Sequence, residues 1–120
     1  MSFNDLPKKE RLLKSAQFKH IFNNSNKLRF KGYTIFFEEN MLNVNRLGLV
    51  VPKKAVKLAT ARNATKRFLK EAYRLNKASI KPGFDIIIYV NNVIMSLKDA
   101  EKIVLNGASG INKYVSKGVK

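Results

Sequence analysis

The chain contains no cysteine in its 120 residues. That absence excludes disulfide staples, a thiol nucleophile and any cysteine-based zinc site, so stability has to come from packing, as is common in reducing compartments. Long apolar runs are missing too. No stretch approaches the roughly 18 apolar residues that a bilayer span requires, and the opening MSFNDLPKKE lacks the apolar middle of a secretory signal. No membrane partner is therefore expected, and a cytoplasmic location fits. Histidine occurs once, as His20, and one imidazole cannot supply both an acid and a base. Its basic and apolar neighbours favour a surface or packing role over a catalytic one. Acids are scarce, and the adjacent Glu38 and Glu39 fall on a predicted strand, where successive side chains point to opposite faces and make no two-metal cluster. There is no phosphate-cradling glycine loop and no Gly-x-Ser-x-Gly elbow. A chain so composed offers no catalytic side chains and no metal ligand set of its own.

Positive charge is what the chain does have: 24 Lys and Arg against 8 Asp and Glu, a formal net of +16. A compact domain this charged repels itself, so the excess points to a polyanionic partner whose released counterions drive association. Nucleic acid is the first candidate. Between Glu39 and Asp85 the only acid is Glu71, whereas Lys53, Lys54, Lys57, Arg62, Lys66, Arg67, Lys70, Arg74 and Lys77 all fall there. The middle of the chain is the expected binding face. Length and a 45% hydrophobic content suit one domain over 1–120, with 1–10 and 116–120 expected to be flexible.

The elements follow from periodicity. Ser15 reads as the N-cap of a helix to about Asn23, with Phe18, Ile21 and Phe22 at helical spacing. Leu28 to Glu38 reads as one strand, with Phe30, Thr34 and Phe36 on one face and Tyr33, Ile35 and Phe37 on the other. RLGLVV, continuously apolar after Arg46, reads as a central buried strand that stops at Pro52. From Leu58 a long helix carries a buried stripe of Leu58, Ala61, Thr65, Phe68, Ala72 and Leu75, with its cations on the opposite half. KPG at 81–83 is a turn, and FDIIIYV is a second buried strand, joined to the first through the basic helix in a β-helix-β unit. A last helix begins at a Ser96 cap with Asp99 as its third residue. Gly107 and Gly110 leave its continuation to Tyr114 open.

Charged residues on a helix ordinarily just face water, and Lys and Arg are good helix formers. Here the face has almost no acids, so the Glu to Lys pairs that support solvated helices are missing and a binding role is favoured. Arginine can fork onto phosphate oxygens, lysine supplies mobile charge, and Asn63, on the side of Arg67, can bond a sugar or phosphate without adding charge. The aromatics Phe18, Phe22, Tyr33, Phe36 and Phe37, taken alone, read as core sooner than as a stacking platform for single-stranded nucleic acid.

RLLKSAQFKHIF, then RLGLVVPKKAVKLATARNATKRFLKEAYR, then GFDIIIYV, resembles the protein subunits of bacterial ribonuclease P. The match runs in order from about Arg11 to the last helix. Its most specific part is RN..KR...EA.R preceded by VPKK. The resemblance implies an α/β sandwich with helices on a mixed sheet and a left-handed β-α-β crossover through the basic helix, where composition alone suggests the common right-handed one. It implies that Arg62, Asn63, Lys66, Arg67, Lys70 and Arg74, with Lys53 and Lys54, face the catalytic RNA subunit. Phe18, Phe22 and Phe36 match a cleft that receives the single-stranded 5′ leader of precursor tRNA. The expected partners are thus that RNA and precursor tRNA, with no DNA, and the expected cofactor is Mg²⁺ used by the RNA subunit. Cleavage is then the RNA's, and the protein alone does not cut. The family's second arginine is Ala64 here, the next, usually larger apolar position is Thr65, and Phe36 replaces a common tyrosine. These departures imply one lost phosphate contact, looser helix packing and a missing hydroxyl. A ribosomal RNA-binding protein and an autonomous nuclease stay open as alternatives from other classes. The first would gain nothing from tRNA leaders, and the second would cleave without added RNA and depend on His20 or Glu71.

Overall fold

The computed structural model describes residues 6–117. Among them, four strands form one mixed sheet in the order β1-β2-β4-β3. The strands are β1 (Asn26–Phe30), β2 (Tyr33–Glu39), β3 (Arg46–Val50) and β4 (Phe84–Val90), and the helices are α1 (Ser15–Asn24), α2 (Ala59–Asn76) and α3 (Leu97–Ser116). β2 and β4 are the two inner strands, and β4 runs antiparallel to β2 and parallel to β3. Its side chains alternate between two cores. Ile86, Ile88 and Val90 meet Leu69, Ala72 and Tyr73 of α2 and Ile103, Val104 and Ile111 of α3, while Ile87 packs with Leu12 and Ile21 on the α1 side. The expected mixed α/β sheet with helices on both faces is therefore present.

Several local expectations change. The stretch from Leu28 to Glu38 is a hairpin, not one strand: Gly32, at φ +88°, reverses the chain in a conformation that costs glycine no Cβ clash. The reversal pairs Phe30 with Tyr33 and Lys27 with Phe36. Directly opposed residues share a face, so Phe30 joins Tyr33 rather than Phe36. RLGLVV is not central either. β3 pairs with β4 alone among the named strands, and its other side is covered by the N-terminal segment, through an Arg11–Leu47 bridge and the Leu12 N–H donating to the Leu47 carbonyl at 2.9 Å. It reads as central because both its faces are packed. Ser15 is not a cap: the Gln17 side-chain carbonyl closes the start of α1, accepting from the Lys14 and Leu13 N–H groups at 3.0 and 3.1 Å.

The buried stripe of α2 is wider than its periodicity suggests. Thr65 and Ala72 lie at its centre, but it extends to Leu69 and Tyr73, and its expected ends, Leu58 and Leu75, are 70% and 50% exposed. The Thr65 hydroxyl donates to the Ala61 carbonyl at 2.8 Å and accepts from the Ile94 N–H at 3.0 Å. Instead of loosening the helix, this threonine ties it to the connection before α3. The Ser96 cap forms as expected, accepting from the Asp99 N–H at 3.1 Å, and α3 runs unbroken past both glycines. The glycines serve close approach: a Cβ on Gly107 would lie 2.7 Å from Ile35 Cδ1, and Gly110 abuts Leu28.

A buried polar cluster fixes where β3 meets β4. Arg46 forks onto Asp85 with both N–O distances at 2.7 Å, and Asn40 donates to the same carboxylate at 2.9 Å. The bonds to Asp85 hold the Arg46 guanidinium above its ordinary range against the opposing effect of burial. Of the terminal stretches expected to be flexible, 1–5 and 118–120 lie outside the described residues. Leu6 is buried in the larger core, and Glu10 meets Lys77 Nζ at 2.9 Å.

Leu69→Ala should lower unfolding free energy by about 2–5 kcal/mol, whereas Leu75→Ala should stay within about 1 kcal/mol because little of its surface is removed from water. Urea unfolding of the two variants checks the rotated face, and equal losses would contradict it.

Candidate nucleic-acid interface

The sheet face under α1 gathers aromatic rings from segments far apart in the chain. Phe18 and Phe22, four residues apart, both look down from α1. Phe22 meets Phe36 of β2 edge-on with ring centroids 4.9 Å apart, and Tyr89 of β4 completes the group at 6.2 Å from Phe22 and 6.5 Å from Phe36. All four rings are half-buried, so they are neither core nor fully free. Phe18 lies over Gly48 of β3, where a Cβ would come within 2.6 Å of its ring. Lys27 of β1 places its ammonium 5.9 Å from the Phe36 centroid, in reach of a cation–π contact. Tyr89 and Lys27 do not stand out as site residues in the sequence. Tyr89 alternates with Ile87 in β4 and so shares its face, and Lys27 becomes visible once the hairpin register is known.

His20 sits beside this group, with Nε2 3.0 Å from Glu38 Oε2 and Nδ1 3.3 Å from Asn24 Nδ2. These contacts pin α1 to β2. Among the described residues no group of three or more His, Asp or Glu could hold a metal. Asp85, Glu71, Glu10 and Glu38 are each engaged by a basic partner.

The cations of α2 divide by what they touch. Arg62 donates from Nη1 to the Val56 and Lys57 carbonyls, both at 3.0 Å, and so closes the basic loop onto the start of the helix. Arg74 forks onto Glu71 at 3.1 and 2.7 Å, and these bonds lower the Glu71 pKa below its ordinary range. Asn63 and Arg67 are exposed on α2, and Lys53 and Lys54 are exposed in the turn that follows Pro52. Ala64, at the position of the missing arginine, is itself buried.

Lys66 and Lys70 stand apart from the others because they line a concavity of about 260 Å³ with Phe18, Gly48 and Arg11. This hollow crosses the β3 edge and brings cations of α2 together with the first ring of the aromatic face. Arg11 was not singled out in the sequence. Its Nε is buried with no hydrogen-bond partner among the described residues, and a buried donor of that kind calls for an acceptor. An isolated arginine in a polar segment carries no periodic signal, so only the folded geometry reveals it.

Comparison with known proteins identifies the family of the chain. Residues 6–104 match the family model described as Ribonuclease P. The chain is 37% identical over 102 residues to a protein of Pseudomonas putida (strain GB-1) named "Ribonuclease P protein component", covering 84% of this chain and 75% of that one. It is 38% identical over 95 residues to a protein of the same name from Ectopseudomonas mendocina (strain ymp), covering 78% and 70%. The solved structure of the RNase P protein from Thermotoga maritima superposes with a TM-score of 0.74 at 31% identity, covering 85% of this chain and 97% of that one. That from Staphylococcus aureus superposes at 0.70 and 25% identity, covering 89% and 95%. A cationic helix, an aromatic sheet face and a match over most of the chain lead to one conclusion: the chain belongs to the ribonuclease P protein family, the protein components of a tRNA-processing ribonucleoprotein endoribonuclease whose RNA subunit carries out the cleavage.

Proposed function

We propose that this chain holds the 5′ leader of precursor tRNA on the α1 face of the sheet while α2 docks on the ribonuclease P RNA. The observation that carries this reading is the shared hollow in which Phe18 meets Lys66 and Lys70. Single-stranded RNA needs rings for its bases and cations for its phosphates side by side, and each stacked base contributes about 1–3 kcal/mol. Phe18, Phe22 and Phe36 supply the ring surface, with Tyr89 beside them. A leader phosphate in the hollow would accept from the Arg11 guanidinium and satisfy its buried Nε.

On the exposed side of α2, Asn63, Lys66, Arg67 and Lys70 face the RNA subunit, with Lys53 and Lys54 extending the contact from the turn. Arg62 acts one step back by holding the loop. Arg74, already matched by Glu71, orients more than it attracts. Mg²⁺ belongs to the RNA, and the chain's part is to bind, orient and screen phosphate repulsion so that metal sites on the RNA fill at lower Mg²⁺. The reaction belongs to the cytoplasm, where tRNA precursors are made.

Reconstitution tests the whole reading. Added to the cognate RNA subunit and leader-bearing tRNA at low Mg²⁺, the chain should stimulate cleavage, and His20→Ala or Glu71→Ala should keep that stimulation. Absence of stimulation would refute the assignment. Phe18→Ala with Phe22→Ala should weaken binding of leader-bearing tRNA by about tenfold or more with mature tRNA nearly unchanged, and an equal loss for both would contradict the cleft.

The two kinds of α2 cation separate in a simpler measurement. Arg62→Ala should destabilise the free protein by about 1–3 kcal/mol, since two carbonyls lose their donor. Lys66→Ala should leave stability within about 0.5 kcal/mol while reducing the salt slope of RNA-subunit binding by about one unit.

A further inference from the structure

The face of the sheet opposite α1 carries a second basic groove. It has a volume of about 590 Å³ and lies between β1 and the C-terminal half of α3, within the range of about 300–1,000 Å³ usual for ligand sites. Asn106 and Lys113 line it from α3, Lys117 from the C-cap of that helix, and Phe30 from β1. No carboxylate occurs among the described residues that line it. Its floor is apolar, where Leu28 packs into the space left by Gly110.

Phe30 is the unusual element. It remains 37% exposed although its ring is stacked on Tyr33, with centroids 4.7 Å apart and planes 15° from parallel. Tyr33 is in turn held by Asn106, whose Nδ2 donates to the tyrosine hydroxyl at 2.7 Å. An aromatic platform fixed from beneath and left partly in solvent, beside two lysines and with no acid, has the chemistry of a nucleotide site. Strand addition by a peptide along β1 is the competing use. That strand carries Lys27 and Arg29, with Lys31 in the turn beyond, and edge lysines and arginines disfavour strand pairing while favouring a polyanion.

We propose that this groove is a second site for single-stranded RNA, with a base stacked on Phe30 and the adjoining phosphates at Lys113 and Lys117. An unpaired strand is required because a base inside a duplex has no free ring face to offer. Lys27, whose ammonium lies over Phe36 on the other face, is the one residue of the leader face that also lines the groove; the proposed contacts do not use it, and the site stands if that cleft is misassigned.

The test uses the full chain carrying Phe18→Ala and Phe22→Ala, so that the leader cleft does not compete. Binding of a fluorescein-labelled oligouridylate is measured by anisotropy over a salt series, with circular dichroism to check that each variant is folded. Adding Phe30→Ala should raise Kd about fivefold or more. Adding Lys113→Ala with Lys117→Ala should raise Kd and lower the salt slope by about one unit per lysine. Removing the same charge at Lys8 and Lys9, which do not line the groove, should cost less. A 4-thiouridine oligomer should photocrosslink to the segment holding Phe30 or to that holding Tyr114, which also lines the groove. A Phe30→Ala Kd within about twofold of its parent would overturn the proposal, as would equal losses from the two lysine pairs. Capture of a polyglutamate peptide in place of RNA would also overturn it. Neither the RNA subunit nor tRNA enters this measurement, so its failure and that of the leader reading are separately visible.

Discussion

Burial of β4 on both faces is the constraint to which the rest of the molecule answers. From Phe84 to Val90 every side chain but Tyr89 is buried, so water cannot solvate either side and both faces have to be covered. Each large apolar side chain removed from water contributes about 1.5–3 kcal/mol. Neighbouring residues of this strand must therefore feed two separate cores. The side of Ile86 and Ile88 is covered by α2 and α3 and closes completely. The side of Ile87 is covered by one short helix of 10 residues, too small to seal it, so the rings around it stay half-exposed. The half-exposed aromatic surface is thus a consequence of unequal coverage of one strand.

Charge is distributed to match. Four of the eight carboxylates serve as internal ties: Asp85 joins β4 to β3 through Arg46, Glu10 joins the N-terminal segment to Lys77, Glu38 joins β2 to α1 through His20, and Glu71 stays on α2 with Arg74. Using acids for architecture leaves the outer surface of α2 and the preceding turn with positive charge that internal pairing does not neutralise. At physiological salt this potential reaches about 8 Å before screening halts it, far enough to draw in a phosphate backbone and too short to replace direct contact. In the proposed reading, steering and fitting fall to different residues, the exposed lysines in one case and Phe18, Arg11 and Gly48 in the other.

Much of this was legible in the chain before folding was considered. The strand FDIIIYV, the Ser96 cap, the basic helix and the pairing of Phe18 with Phe22 rest on local chemistry or on a period of 3.6 or 2, and such signals survive in one dimension. Errors arose where a local pattern had two physical sources. A strand packed on both faces at a sheet edge has the same apolar run as a central one, so RLGLVV reads as central. A two-residue reversal through Gly32 hardly interrupts a hydrophobic stretch, so two strands read as one and Phe30 falls on the wrong face. Thr65 read as a packing defect because a hydroxyl partner 29 residues away, the Ile94 N–H, leaves no trace near it.

The amino-acid order by itself determined the class of most elements and the excess of cations on one helix, because each depends on residues within a few steps of one another. Only the tertiary structure decided which strand lies in the middle, which ring stands beside which lysine, and that Arg11 has an unanswered N–H at the junction. Those are contacts between segments tens of residues apart. They exist only after two faces of one strand have been buried at once, and no local pattern encodes that joint requirement.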